Sequence, residues 1–256
     1  MVNNQEQYIA ACYLPSRLFH KIYKNLRRTH IEALNPQPQL SYFISKANAI
    51  RDNTFQKKIR VAILSSFTTN GLEESLIVKC AEHKIQCVTY NSPYKQYNQE
   101  ILSPMSSLYR FLPDLTFMII DTRTILSSLF YNPYSVSTSE RRDYIDNRVR
   151  ELANLVKNFT GNSDSKLVVA NFSTPVYTPY GISETKTEYG LREMILDLNA
   201  KLSTLFRNEP STVIFDFDSF VRKYGEVNVF DYRQFLVGDI KVSLSYIPYL
   251  AQELMG

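Results

Sequence analysis

The chain has 256 residues, 44% of them hydrophobic, which is enough for one large α/β domain with a substantial buried core. No apolar run approaches the ~18 residues of a membrane span, and the N-terminus lacks the basic and apolar regions of a signal peptide. Three scattered cysteines, Cys12, Cys80 and Cys87, indicate free thiols in a reducing compartment. We therefore expect a cytoplasmic protein that is not in a membrane.

The net charge of +4 is unevenly distributed. Residues 1–60 hold ten Lys and Arg against three Asp and Glu, whereas acidic residues outnumber basic ones in the remainder. A basic segment of this kind can meet an acidic partner such as a nucleic acid, a membrane surface or an acidic carrier protein. It can equally be the solvated face of an amphipathic helix.

The first 56 residues predict a basic helical segment. Leu18, Ile22, Leu26 and Ile31 have roughly helical spacing within residues 8–34. Two prolines in "NPQPQL" then interrupt the pattern, and a short helix is expected to reach about residue 52.

From residue 57 to residue 256, apolar β-branched stretches alternate with helical ones. The strands are expected in "IRVAILSSF", "IQCVTYNS", "PDLTFMIIDTR", "SKLVVANFSTP" and "STVIFDFDSF". The helices between them include one that breaks at Pro104 and one with Ser137, Thr138 or Ser139 as a candidate cap. This alternation predicts a three-layer α/β/α sandwich with a mainly parallel five-stranded sheet, as in flavodoxin-like folds.

Polar side chains follow the predicted strands, and parallel strands present their carboxyl ends at one edge of a sheet. The candidate binding residues at this edge and in the nearby loops are Thr68, Asn98, Asp121, Arg123, Asn171, Asp231 and Arg233. The two arginines could bind a phosphate or carboxylate through a bidentate fork, or could form salt bridges with Asp121 and Asp231.

The turn "SSFTTNG" after the first strand raises the question of a nucleophile. It lacks the glycines of a phosphate loop and of a G-x-S-x-G elbow. It does keep the serine, threonine and glycine of the SGNH (GDSL-type) hydrolase turn, which makes Ser66 a candidate catalytic residue. However, no histidine follows Asp231, where that family places its base, and a serine hydroxyl is a poor nucleophile without one. The other interpretation is that Ser66 and Thr68 cap the helix that begins near Gly71.

Other catalytic motifs have little support. "VIFDFDSFV" has the D-x-D of haloacid-dehalogenase-type (HAD) phosphotransferases, but Phe220 stands where that motif needs Thr or Val. Asp216 and Asp218 are more simply explained as a helix cap and a loop hydrogen bond. The chain contains no metal-ligand spacing, no dinucleotide fingerprint and no nucleic-acid motif, so we expect no metal, no cofactor and no nucleic-acid partner in this chain.

Several blocks in the same order resemble the N-terminal, SGNH-hydrolase-like domain of FkbH-like proteins of the HAD superfamily. They are "VAILSSFTTNGL", "YNSPYKQYNQEILSPMSSLYRFLPDLTFMIIDTR" and "NVFDYRQFLVGDIKVSLSYIPYLAQELMG". The resemblance implies an SGNH-like domain at residues 57–256 that precedes a HAD catalytic domain absent from this chain. In that family Mg²⁺ and the catalytic aspartates belong to the HAD domain, so they are not assigned to Asp216 or Asp218.

The resemblance also implies a function. FkbH-like proteins convert a phosphoglycerate-derived unit into glyceryl-S-acyl carrier protein for polyketide and related natural-product biosynthesis. The expected partners are an acyl carrier protein and a HAD domain in cis or in trans. We expect this chain to dock the carrier or to position the substrate, without a complete catalytic site. The alternative is an SGNH-type esterase or acyltransferase that uses Ser66 with a non-standard base.

Overall fold

The computed structural model describes residues 38–51 and 55–255. The helices predicted for residues 8–34 lie outside the described residues. The short helix predicted before residue 52 is present as α1, Leu40–Ile50, and it packs on the α/β domain through Phe43 and Ala47.

The sheet has five parallel strands. They are β1 (Lys57–Ser65), β2 (Ile85–Asn91), β3 (Leu115–Ile119), β4 (Lys166–Ala170) and β5 (Thr212–Phe215), in the spatial order β2-β1-β3-β4-β5. Every pairing between neighbours is parallel, with Val61 opposite Leu115 in the register of the β1–β3 pair. This arrangement confirms the predicted α/β fold class.

Helices cover both faces of the sheet. After α1 the α-helices are α2 (Leu72–Glu82), α3 (Tyr97–Leu102), α4 (Ser107–Phe111), α5 (Thr122–Leu126), α6 (Ser128–Tyr131), α7 (Thr138–Asn162), α8 (Leu191–Phe206), α9 (Phe217–Tyr224), α10 (Glu226–Val229), α11 (Tyr232–Gly238) and α12 (Ile247–Leu254). Two 3₁₀ turns occupy Pro133–Ser135 and Gly181–Lys186. The break near Pro104 is present between α3 and α4.

Alternate residues of each strand contribute to two separate hydrophobic cores, because successive side chains of a strand point to opposite faces of the sheet. Ala62 and Leu64 pack with the inward faces of α7 and α8. Val61 and Ile63 pack on the other face, with residues of α2 and α12. The domain is therefore three layers deep, as predicted.

Two local predictions need correction. The stretch expected to be the fifth strand ends as a strand at Phe215, because Asp216 accepts a hydrogen bond from the Ser219 N–H and begins α9. The helix after β1 is not capped by Ser66 or Thr68. Its N-cap is Gly71, which makes no side-chain cap bond and has a φ of 86° that favours glycine. By contrast, Ser137 does cap α7, through a capping box with Glu140.

The two leucines near the middle of α8 allow a test of which face of this helix is buried. Leu198 is completely buried and Leu196 is 53% exposed. We expect Leu198→Ala to lower the free energy of unfolding by about 2–5 kcal/mol, because it leaves a cavity in the core. Leu196→Ala, the matched control, should change it by less than about 0.5 kcal/mol. Urea titrations would measure both, and similar values for the two variants would contradict the packing described here.

Candidate functional site

The strand order reverses between β1 and β3, because β2 lies on one side of β1 and the later strands lie on the other. In open parallel sheets, ligands bind at the carboxyl ends of the strands at such a point. Ser66, directly after β1, and Asp121, shortly after β3, meet at this point. The Ser66 Oγ accepts hydrogen bonds from the Asp121 backbone N–H at 2.8 Å and from the Thr124 hydroxyl at 3.2 Å. Ser66 is only 1% exposed, so its hydroxyl joins two chain segments inside the protein.

Asp121 is the centre of a buried ionic cluster with Arg123 and Lys241. One carboxylate oxygen of Asp121 accepts from the Arg123 Nε at 2.8 Å and lies 2.6 Å from the Arg123 Nη2. The other oxygen accepts from the Lys241 Nζ. Asp121 and Lys241 are 4% and 5% exposed and the Arg123 side chain is 14% exposed, so one buried carboxylate pairs with two cations that are shielded from solvent.

The pKa values of this cluster follow from burial and from its charges. Burial alone would raise the pKa of Asp121, but Lys241 and Arg123 outweigh it and hold that pKa below its ordinary value of 3.8. Burial lowers the pKa of Lys241, and the nearby Asp121 carboxylate only partly opposes the shift. Asp121 is therefore ionised in the folded protein, and its charge holds Lys241 and Arg123 in place.

A cavity of about 250 Å³ opens beside this cluster. The lining is mostly apolar and aromatic, with charged groups of the ionic cluster on one side. The lining residues are Asp121, Thr122, Arg123, Phe130, Tyr131, Ser173, Pro175, Tyr177, Glu226, Phe230, Asp231, Tyr232, Phe235, Leu236 and Lys241. This combination of apolar walls and a few convergent polar groups is typical of small-molecule sites.

Helix α11 forms one wall of the cavity. Asp231 caps it by accepting hydrogen bonds from the Arg233 and Gln234 backbone N–H groups. One turn later, the ring of Phe235 lies against the Arg123 guanidinium, with 3.2 Å between the guanidinium carbon and the ring centroid. This cation–π contact adds to the salt bridge in fixing the orientation of Arg123.

A second buried acid, Glu226, faces the same cavity. Its two carboxylate oxygens accept from the Val176 backbone N–H at 2.6 Å and from the Tyr232 hydroxyl at 2.7 Å. Burial and the Glu226 carboxylate both raise the pKa of Tyr232, so its hydroxyl remains a donor at neutral pH. Glu226 thus connects α11 to the loop that follows β4.

The structure brings together only some of the predicted site residues. Asp121, Arg123 and Asp231 all line the cavity, and the predicted salt bridge between Arg123 and Asp121 is present. Arg233 is exposed on α11, and its backbone N–H, rather than its guanidinium, contacts Asp231.

Three other predicted residues lie away from the cavity lining. Thr68 donates a hydrogen bond to the Gly238 carbonyl at 2.9 Å and so ties the C-terminal end of α11 to the turn after β1. The side-chain amide nitrogen of Asn171 donates a hydrogen bond to the Asp216 carboxylate. Asn98 is exposed on α3 and does not line this cavity.

Asp216 and Asp218 have the structural roles that the sequence suggested. Asp216 caps α9 through Ser219, and the Asp218 carboxylate accepts from the Thr174 backbone N–H at 2.7 Å and pairs with Arg222. Within residues 38–51 and 55–255, no group of three His, Cys, Asp or Glu side chains is arranged to hold a metal ion. The two described cysteines, Cys80 and Cys87, are free and buried.

Sequence reasoning missed Lys241, Glu226 and Phe235. Lys241 follows the predicted site residue Asp231 by ten positions, and the available signal was a lysine directly before the apolar Val242. That signal is weak, because lysines commonly flank apolar segments with their charge in solvent.

Comparisons with known proteins agree with this fold. The sequence model of the family described as "FkbH, N-terminal domain" matches residues 60–256. A search of curated proteins finds no match. In the described part of the chain, no helix is long and apolar enough to cross a membrane.

Among solved structures, the chain is similar to the N-terminal part of BF1531 from Bacteroides fragilis, which contains a phosphatase domain and was solved with Mg. The TM-score is 0.71 at 19% identity, and the match covers 86% of this chain and 56% of that one. This chain thus spans just over half of that structure, and the likeness shows the fold.

Two weaker structural matches are a putative GDSL-like lipase from Parabacteroides merdae and the acetyl xylan esterase AlAXEase. Their TM-scores are 0.46 and 0.44, at 12% and 9% identity. The matches cover 79% and 77% of this chain and 96% and 98% of those chains.

The ionic cluster predicts a large effect of Asp121→Asn. The amide keeps the shape of the side chain but leaves Lys241 and Arg123 without their counter-ion in the interior. We expect the free energy of unfolding at pH 7 to fall by about 3–5 kcal/mol in urea titrations. The control is Glu188→Gln, which removes an exposed pair with Arg142 and should cost less than about 1 kcal/mol. Equal effects would argue against a buried charge cluster.

Acid titration tests the same carboxylate independently. The lowered pKa of Asp121 means that its stabilising contribution is complete above pH 3.8, the ordinary value, and is lost as the pH falls further through the folded-state pKa. As the pH falls below about 4, the free energy of unfolding should therefore fall more steeply for the wild type than for Asp121→Asn. Parallel curves would show that the pKa of Asp121 is the same in the folded and unfolded states.

Proposed function

Because the family match spans well over half of the chain, this chain belongs to the FkbH N-terminal domain family, and we propose that it is a non-catalytic part of an enzyme that forms glyceryl-S-acyl carrier protein. In this proposal it acts in the cytoplasm, docks an acyl carrier protein or positions the acyl unit, and has little activity of its own. A HAD-type domain, in cis or in trans, supplies the Mg²⁺-dependent chemistry.

The observation that carries the proposal is the placement of Ser66. A serine nucleophile must present its hydroxyl to the substrate and donate its proton to a base. Here the Ser66 Oγ is buried and accepts hydrogen bonds from Asp121 and Thr124. These contacts favour a structural role for the serine rather than a catalytic one. In this proposal the adjacent cavity binds the acyl unit.

Two further observations support partners for the domain. The solved N-terminal part of BF1531 contains a phosphatase domain, and this chain matches only 56% of its length. This relationship fits an accessory domain that works with a phosphatase-like partner. The basic segment at residues 1–60 would complement the charge of an acidic carrier protein.

The carrier-docking role can be tested by calorimetric titration of the full chain with holo, apo and glyceryl-loaded acyl carrier protein. We expect saturable binding that weakens as salt is raised, because the contact is between opposite charges. The double variant Arg27→Glu/Arg28→Glu should weaken binding about tenfold or more. Arg142→Glu/Arg150→Glu, a matched charge reversal outside the basic segment, should leave it unchanged. Absence of binding to all three forms would contradict carrier docking.

The esterase alternative is separated by Ser66→Ala. We expect this variant to bind the carrier as the wild type does and to lose about 1–3 kcal/mol of unfolding free energy, because the Asp121 N–H loses its acceptor. Ser75→Ala is the control, since the buried Ser75 hydroxyl has no hydrogen-bond partner among the described residues. An ester-hydrolysis activity that is present in wild type and Ser75→Ala but lost in a folded Ser66→Ala would favour the hydrolase or acyltransferase instead.

A further inference from the structure

The ionic cluster at the cavity has more hydrogen-bond donors than it can use. A lysine carries three N–H donors and an arginine five. For Lys241 and Arg123, Asp121 is the sole hydrogen-bond acceptor among the described residues, and its two oxygens cannot satisfy all of these donors. Both cations line the cavity, so the unused donors are available to a ligand with acceptor oxygens.

The other acids of the cavity do not supply those oxygens. Each Glu226 oxygen already accepts a hydrogen bond, one from Val176 and one from Tyr232. The Asp231 carboxylate accepts from two backbone N–H groups at the start of α11. Two cations therefore share the single carboxylate of Asp121, and neither Glu226 nor Asp231 accepts a hydrogen bond from their remaining N–H donors. Burial lowers the pKa of Lys241, which is the cost of keeping this charge in the interior.

The size and walls of the cavity restrict the ligand further. Its volume of about 250 Å³ is just below that of most small-molecule sites, which measure about 300–1,000 Å³. Phe230 and Phe235 form apolar walls next to Lys241 and Arg123, and both contact these cations through their rings. Tyr131 and Tyr177 are 64% and 78% exposed at the cavity and leave a way in from solvent. A compact ligand with an anionic head and a short carbon body fits these dimensions.

We infer that the cavity binds a small organic anion, whose carboxylate or phosphate oxygens accept hydrogen bonds from Lys241 and Arg123 and whose carbon body lies against Phe230 and Phe235. The inference assigns a head-group chemistry to the cavity and goes beyond the proposed function. It requires neither a carrier protein nor a catalytic partner.

The first test is to titrate the wild-type full chain with butyrate, inorganic phosphate and butyramide. Calorimetry and backbone amide chemical shifts in NMR would monitor the binding. Butyrate or phosphate should bind saturably with a Kd on the order of millimolar, as a ligand of so few atoms allows. Butyramide, which has the same shape as butyrate but no charge, should bind at least about tenfold more weakly. The shifts should concentrate at Asp121–Arg123 and at residues 230–241.

Preference for phosphate over butyrate would identify the head as a phosphate, and the reverse would identify a carboxylate. Either result supports an anion site. No binding of either anion, equal binding of butyrate and butyramide, or shifts confined to other surfaces would overturn the inference and leave the cluster as a structural element only.

Variants then test the two cations. Lys241→Met should weaken anion binding at least about tenfold. The control is Lys95→Met, because Lys95 also pairs with an aspartate, Asp239, but lies on an exposed loop outside this cavity. Arg123→Lys keeps the charge, so the variant should fold. It loses the planar fork of the guanidinium, so it should bind the anion several-fold more weakly than the wild type does. Unchanged anion affinity in a folded Lys241→Met or Arg123→Lys would contradict the assignment.

These outcomes are distinguishable from those of carrier docking. If a small anion binds and the carrier protein does not, the cavity assignment stands and the proposed function falls. If the carrier binds and no anion does, carrier docking stands and the present inference falls.

Discussion

The carboxylate of Asp121 is the contact on which the geometry of this edge of the sheet depends. It connects the end of β3 to Lys241, which is 120 positions further along the chain. It also holds Arg123 at the start of α5, and its own backbone N–H is fixed by Ser66 at the end of β1. Three chain segments thus converge on one residue. A buried carboxylate with two cationic partners tolerates little displacement, because any loss of contact leaves a charge unpaired in the interior.

The cavity is a consequence of how this edge is covered. The strands end in short helices and loops rather than in long packed elements, and none of the residues of α11 is buried. Polar contacts hold α11 instead: Asp231 caps its first turn, and Thr68 bonds its last residue, Gly238. The helix therefore covers the site without filling it. Elements with so little buried apolar surface are the ones that open locally at low cost in free energy, which suits the wall of a binding site.

The sequence predicted the scaffold better than the site for a physical reason. Apolar stretches such as that of β1 have a period and a length that specify a buried strand, and the helices between the strands require parallel order. The ion pair between Asp121 and Lys241 leaves no comparable pattern, because it depends on a contact between distant segments. Arg123 was found because it lies at the end of the predicted third strand.

Errors at chain reversals have a related origin. Ser66 and Thr68 stand before a helix and have the side chains of capping residues, but the chain between β1 and α2 turns them toward other partners. At residues 217–220, the aromatic Phe217 and Phe220 extended the predicted strand, whereas the cap formed by Asp216 begins a helix there. In both places, side-chain hydrogen bonds determine the local structure against the preference that the residue types suggest.

The position of Ser66 shows how a serine directly after β1 can stabilise this edge of the sheet without lining the cavity. A serine at the end of β1 is well placed for catalysis only if its hydroxyl faces the crevice and a base stands beside it. In this chain the same hydroxyl accepts the Asp121 N–H, which helps to hold the carboxylate that in turn orients Lys241 and Arg123. The serine thus contributes to the cavity indirectly, through the loop that it fixes. Asp121 lines the cavity and Ser66 does not, so a substitution of Ser66 affects the cavity through the position of Asp121.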